Sequence, residues 1–139
     1  MKKLLKLLGL CLLIVSCSKD DEAPASVVGK WTLLKINFYS NNVLVNTEIE
    51  NQDNITCPDY IQFNSNGTFN NILKDVNCNI TFSSNGNYIY NPSLDILEIT
   101  ETEESFAVIN ITNNDLTTEL SYTESGIPKK RKAYYQKIN

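Results

Sequence analysis

From residue 27 onward the sequence carries no helical period. It is a succession of short runs rich in Ile, Val, Thr, Tyr and Phe, with Asn, Gly, Asp and Pro between them. Such runs form strands and the residues between them form turns. Nine runs stand out, at 31–38, 43–49, 60–64, 68–73, 87–90, 94–100, 106–111, 116–122 and 132–138. Turns are expected at Ser40-Asn41-Asn42, at the "SNG" ending in Gly67, at the "SSNG" ending in Gly86, and at Pro92, whose fixed φ suits a corner. The clearest alternation is "LTTELSY", which puts Leu116, Thr118, Leu120 and Tyr122 on one face. Short connections favour antiparallel neighbours. A meander of this length removes its exposed edges by closing on itself. The expected fold is therefore all-β, an antiparallel up-and-down β-barrel of eight or nine strands, with a β-sandwich as the second architecture.

The first residues obey different rules. Lys2, Lys3 and Lys6 precede an apolar run from 7 to 15. That run is shorter than the roughly 20 residues a spanning helix needs. A positive start, a short apolar middle and a small residue at the end describe a secretory signal peptide. Its end, Ile14-Val15-Ser16-Cys17, resembles the lipobox of bacterial lipoproteins. The resemblance implies cleavage before Cys17 and acylation of that residue by diacylglycerol and a further chain such as palmitate, which together anchor stably. Ser18-Lys19-Asp20-Asp21-Glu22 resembles the surface-export tag of lipoproteins in one group of Gram-negative bacteria. The same residues also suit a solvated tether, since a segment so poor in apolar residues does not fold by itself. The chain thus divides into a signal peptide at 1–16, a lipidated acidic tether at 17–26 and a domain at 27–139. The expected location is the outer membrane, lipid-anchored and facing the cell exterior.

Charge narrows the partners. The chain has 12 basic and 16 acidic residues, a net −4. Without Lys2, Lys3 and Lys6, nine basic residues face sixteen acidic ones, a net −7. An acidic chain repels nucleic-acid phosphates, so no nucleic-acid partner is expected. The basic "KKRK" at 129–132 is read as a polar loop entering the last strand rather than as a binding patch. Histidine is absent, which removes the usual general base, any Ser-His-Asp triad and the commonest nitrogen ligand for zinc. Two carboxylates could still perform acid catalysis, but no spacing points to a pair. No enzymatic activity, cofactor or metal site is expected.

Of four cysteines, Cys11 leaves with the signal and Cys17 takes lipid. Cys57 and Cys78 remain, in an oxidising compartment. Folding the chain back about Asn66 puts position 57 opposite 75 or 76, with Cys78 two or three residues beyond. A disulfide between Cys57 and Cys78 would then close the open end of this hairpin. The alternative, two thiols on a metal, lacks further ligands.

Several segments resemble a family of small bacterial lipocalin-like lipoproteins, of the calycin type. They are Gly29-Lys30-Trp31, "CPDYIQFNSNGTF" from Cys57, the second cysteine Cys78, "GNYIYNPSLDILEIT" from Gly86 and "NNDLTTELSY" from Asn113. The resemblance implies a barrel whose first-strand Trp31 packs across the closed end against a basic residue near the last strand. Arg131, the single arginine, is the expected partner. It also implies a small apolar or amphipathic ligand, for which Tyr88, Tyr90, Leu116, Leu120 and Tyr122 are the candidate lining. The alternative is a filled barrel that contacts an envelope protein or glycan through its loops.

Overall fold

Two-residue turns set the architecture. In a computed structural model, described here for residues 25–50, 56–100 and 102–139, Asn41 and Asn42 both take positive φ (50° and 64°), as do Ser125 and Gly126 (50° and 77°). Two left-handed residues in a row make the hairpin turn whose twist matches its strands. Nine strands result among the described residues: β1 (Gly29–Ser40), β2 (Val43–Ile49), β3 (Tyr60–Phe63), β4 (Thr68–Lys74), β5 (Ile80–Asn91), β6 (Ile96–Ile99), β7 (Glu104–Ile111), β8 (Asp115–Glu124) and β9 (Ile127–Ile138). Each pairs antiparallel with its neighbours in the order β2-β1-β3-β4-β5-β6-β7-β8-β9, and β1 also pairs with β9. That last pairing closes an eight-stranded barrel of β1 and β3–β9. β2 is the extra strand. It takes the edge of β1 at Lys35–Ser40, whereas β3 takes the same edge at Gly29–Trp31. The expected up-and-down barrel is the observed fold.

Three local expectations are corrected. "SSNG" at 83–86 is not a turn. It lies inside β5, with Asn85 opposite Asn70 and Gly86 opposite Phe69. Pairing along the whole of β4 satisfies these backbone groups and outweighs the local turn signal. "KKRK" is not a loop either. It is the middle of β9, held on one side by β1 and on the other by β8. Leu94 stays in the turn before β6, and Asp95 has φ 52°.

The core gathers at one end. Val27, Trp31, Phe63, Tyr88, Leu97, Val108 and Leu116 form the buried cluster. Register breaks keep the phase inward. A shift between Val108 and Asn110 lets both Val108 and Ile111 point in, and one between Leu33 and Lys35 does the same for Leu33 and Ile36. Tyr88 stacks edge-on against Phe63 at 4.9 Å, and its hydroxyl donates to the Asn64 carbonyl at 2.8 Å. That bond ties β5 to the β3–β4 turn, where Gly67 adopts φ 82° as expected.

Trp31 is wholly buried at this closed end. Its indole N–H donates to the Val27 carbonyl at 2.7 Å. The cation over its ring is Lys137, with Nζ 5.2 Å from the ring centre. The expected partner, Arg131, is not there. Trp31 is the third residue of β1, and the antiparallel register sets it opposite Lys137, whereas Arg131 lies opposite Phe38. Six residues at about 3.3 Å each put Arg131 roughly 20 Å away along β9. Gly29 explains how Lys137 gets in. A β-carbon at Gly29 would stand 2.6 Å from Lys137 Cε, and the φ of 139° disfavours any other residue.

At the other end the hairpin of β4 and β5 is clamped. Asp75 Oδ1 accepts from the backbone N–H of Asn77 and Asn79, and Cys78 N–H donates to the Asp75 carbonyl at 3.0 Å. This tight turn, with Cys78 at φ 67°, swings Cys78 back to Cys57. The two form a disulfide, their Cα atoms 5.3 Å apart across a separation of 21 residues. The chain-entropy estimate for such a loop is about 3 kcal/mol.

Urea unfolding of two variants should rank the closed-end contacts. Trp31→Ala is expected to cost about 3–5 kcal/mol, as a large core aromatic. Gly29→Ala is expected to cost about 1–3 kcal/mol through backbone strain and displacement of Lys137.

Candidate functional site

Side chains that point into a barrel alternate along each strand, so the inner wall can be traced from Trp31. On β1 it continues through Leu33, Ile36 and Phe38. On β9, opposite, it comprises Lys137, Tyr135, Ala133, Arg131 and Lys129. On β8 it comprises Leu116, Thr118, Leu120 and Tyr122. Ile61 and Phe63 of β3 face Asn71 and Phe69 of β4. These elements, with the segments that flank them, line two cavities that open to solvent.

The larger cavity, of about 230 Å3, has an apolar floor of Trp31, Leu33, Ile61, Leu73 and Tyr135. Its polar rim is Glu50, Asp59 and Asn71. Asp59 is positioned by the hairpin beside it, since its Oδ1 accepts the Lys74 N–H at 2.6 Å. The smaller cavity, of about 80 Å3, lies deeper, among Phe63, Leu97, Ile99, Phe106, Leu116 and Thr118. Ile61 and Tyr135 border both. The two together reach only the lower end of the roughly 300–1,000 Å3 typical of small-molecule sites.

Tyr135 is the residue the two spaces share. Burial pushes its hydroxyl well above the usual tyrosine range, and hydrogen bonding with Thr118 and the positive charge of Arg131 pull partly the other way. A neutral hydroxyl on a mostly apolar wall can orient a polar group without demanding a counter-charge.

The five residues expected to line a ligand are spread over the height of the barrel. Leu116 is buried and borders the smaller cavity. Tyr88 is buried in the core, its hydroxyl engaged by Asn64. Tyr90 packs against the same core, and burial and the Asp95 charge push its hydroxyl above the usual tyrosine range. Leu120 stands higher on β8, opposite Arg131, and Tyr122 is 42% exposed at the rim opposite Lys129. Neither cavity is bordered by Tyr88, Tyr90, Leu120 or Tyr122. Sequence reasoning missed Leu33, Ile61, Leu73 and Tyr135. "YIQF" did carry a signal, since Ile61 and Phe63 alternate, but only the β1–β3 register shows that Ile61 sits beside Trp31.

The lipidation residue Cys17 and the acidic tag lie outside the described residues. Among the described residues, no group of three or more Cys, Asp or Glu side chains is placed to hold a metal ion.

Comparison with known proteins gives three results. A sequence profile described as a lipocalin-like domain matches residues 27–118. Among solved structures, a deswapped triple mutant of bovine odorant-binding protein is similar, with 12% sequence identity and a TM-score of 0.41. The match covers 79% of this chain and 72% of the bovine protein. No curated protein sequence matches.

The state of Tyr135 has a measurable consequence. The folded chain keeps this proton above pH 10, where the unfolded chain releases it. The stabilisation is therefore complete below about pH 10 and is lost as pH rises through the folded value. Urea midpoints should fall above pH 10, and fall less steeply in Tyr135→Phe.

Proposed function

The chain belongs to the lipocalin-like domain family, and from that premise we propose that it is an outer-membrane lipoprotein whose barrel binds a small apolar or amphipathic molecule. The observation that carries the binding reading is the meeting of two apolar-floored cavities at Ile61 and Tyr135 inside a closed barrel. An eight-stranded barrel has room for side chains or for one small ligand. Here the space left over suits a compact molecule rather than a long lipid. Glu50, Asp59 and Asn71 at the rim give it a polar boundary, as small-molecule sites have. The reading is of a binding protein, not an enzyme: the chain has no histidine, and so no imidazole to activate a nucleophile.

A second reading rests on the surface. Val43, Leu44 and Val45 of β2 are each more than half exposed, as is Ile80 of β5. Exposed apolar groups of this size can mark contact surfaces. On this reading the barrel meets an envelope protein or glycan, and the cavities are packing residue.

The anchor is supported by sequence. Cys17 follows a short apolar run at lipobox spacing, and Lys19-Asp20-Asp21-Glu22 follows it. We place the domain on the outer face of the outer membrane on that ground. Metabolic labelling with a palmitate analogue should mark the protein and fail to mark Cys17→Ser. Protease added to intact cells should then degrade the domain; protection until the outer membrane is broken would exclude an outward-facing position.

For ligand binding, native mass spectrometry of residues 18–139, with the disulfide intact, is expected to show an added mass after incubation with the native organism's lipid extract. A bare mass after that incubation would favour the contact-surface reading.

A further inference from the structure

Arg131 is the single arginine of the chain and does not have the structural role expected of it. Lys137, not Arg131, covers Trp31. The neighbouring lysines are engaged: Lys129 with Glu124 at 3.6 Å, and Lys130 and Lys132 with Glu119 at 3.4 Å each. Among the described residues no ion pair or hydrogen bond engages the Arg131 guanidinium. Yet its position is not that of a solvated surface charge. It is half-buried, and alternation along β9 sets it on the inner wall with Ala133 and Tyr135. It lies opposite Phe38 on one side and Leu120 on the other.

Arg131 borders neither cavity itself but stands one inward position beyond Ala133, toward the β8–β9 turn. The inward residue that separates Arg131 from Tyr135 is Ala133, a single methyl group. Tyr135 borders both cavities, and the positive charge of Arg131 is felt at its hydroxyl. The carboxylates that border the larger cavity are Glu50, just after β2, and Asp59, just before β3.

We infer that Arg131 holds the anionic head group of the barrel's ligand, a short-chain carboxylate whose apolar tail enters the cavities at Ile61 and Tyr135. This deepens the binding reading above and rests on it. A guanidinium offers a planar fork that matches a carboxylate with two parallel hydrogen bonds. Partial burial reduces screening of such a pair by salt. Glu50 and Asp59 repel an anionic end, so the ligand is oriented with its head toward β9. Leu120 and Phe38, opposite Arg131 on the two neighbouring strands, flank the head group.

The test uses the full-length chain in phospholipid nanodiscs and three photoreactive probes of one chain length: a diazirine-bearing octanoic acid, the matching octanol and the matching octylamine. Adducts are mapped by peptide mass spectrometry. The carboxylate is expected to label inner-wall peptides of β8 and β9 in preference to the alcohol and the amine. In Arg131→Gln the ratio of carboxylate to alcohol labelling should fall about tenfold, the scale of one lost charge-assisted hydrogen bond. Comparing ratios between variants cancels partition of the probes into the bilayer. Undiminished alcohol labelling shows that the cavity survives the substitution. Should alcohol labelling vanish with it, Arg131→Lys decides, because the charge without the fork should give an intermediate ratio. An unchanged ratio in both variants overturns the inference. Equal labelling by acid and alcohol in the unaltered chain overturns the head-group assignment and leaves the binding reading standing. Absence of interior adducts from all three probes overturns both.

Discussion

The barrel depends on one indole. Trp31 fills the closed end, and each of its contacts ties it to a different part of the chain. Its N–H reaches back to Val27, its ring receives the ammonium of Lys137 on β9, and its backbone pairs with Ile61 on β3. These are the two seams of β1, with β9 on one edge and β3 on the other. The seam with β9 turns a nine-stranded ribbon into a closed barrel. An indole N–H buried without a partner would be costly, so Val27 must sit where its carbonyl can accept. Gly29 must in turn lack a side chain so that Lys137 can cross above it. The Gly-x-Trp at the head of β1 is thus a steric and electrostatic unit.

Much of this was legible in the sequence because hairpins are local. Asn41-Asn42 and Asn66-Gly67 mark their turns whatever the rest of the chain does, and "LTTELSY" displays its two faces by alternation alone. The Cys57–Cys78 bridge followed from counting back about Asn66, since a hairpin of known turn has a known register. The failures have one cause. "SSNG" within β5, the "KKRK" of β9 and the partner of Trp31 all depend on which residue stands across a strand pairing. Local chemistry read the first as a turn and the second as a loop, and ladders on neighbouring strands overruled both. The family resemblance points to a basic residue near the last strand as the partner of Trp31, but which of Arg131 and Lys137, six positions apart, fills that place is decided by register.

The candidate site was harder to see for the same reason. Its floor takes residues from β1, β3, β4 and β9, which no stretch of sequence shows together. The aromatic residues that draw the eye, Tyr88 and Tyr90, serve the core. Tyr135, one residue beyond Tyr134 in an unremarked "AYY", faces the interior, whereas Tyr134 faces outward under the Lys35 ammonium. The alternation that separates these two tyrosines is that of any strand; what had to be known was which parity points in.

The strand directions also decide how the barrel would stand on a surface. Val27 and the start of β1 belong to the closed end, so the chain enters the domain through its base. Residues 17–26 can reach at most about 35 Å when fully extended. A lipid on Cys17 would therefore moor the molecule like a cup on its foot, with the disulfide-clamped hairpin and the β8–β9 turn uppermost. That upper end would then face the aqueous side and the closed end the bilayer.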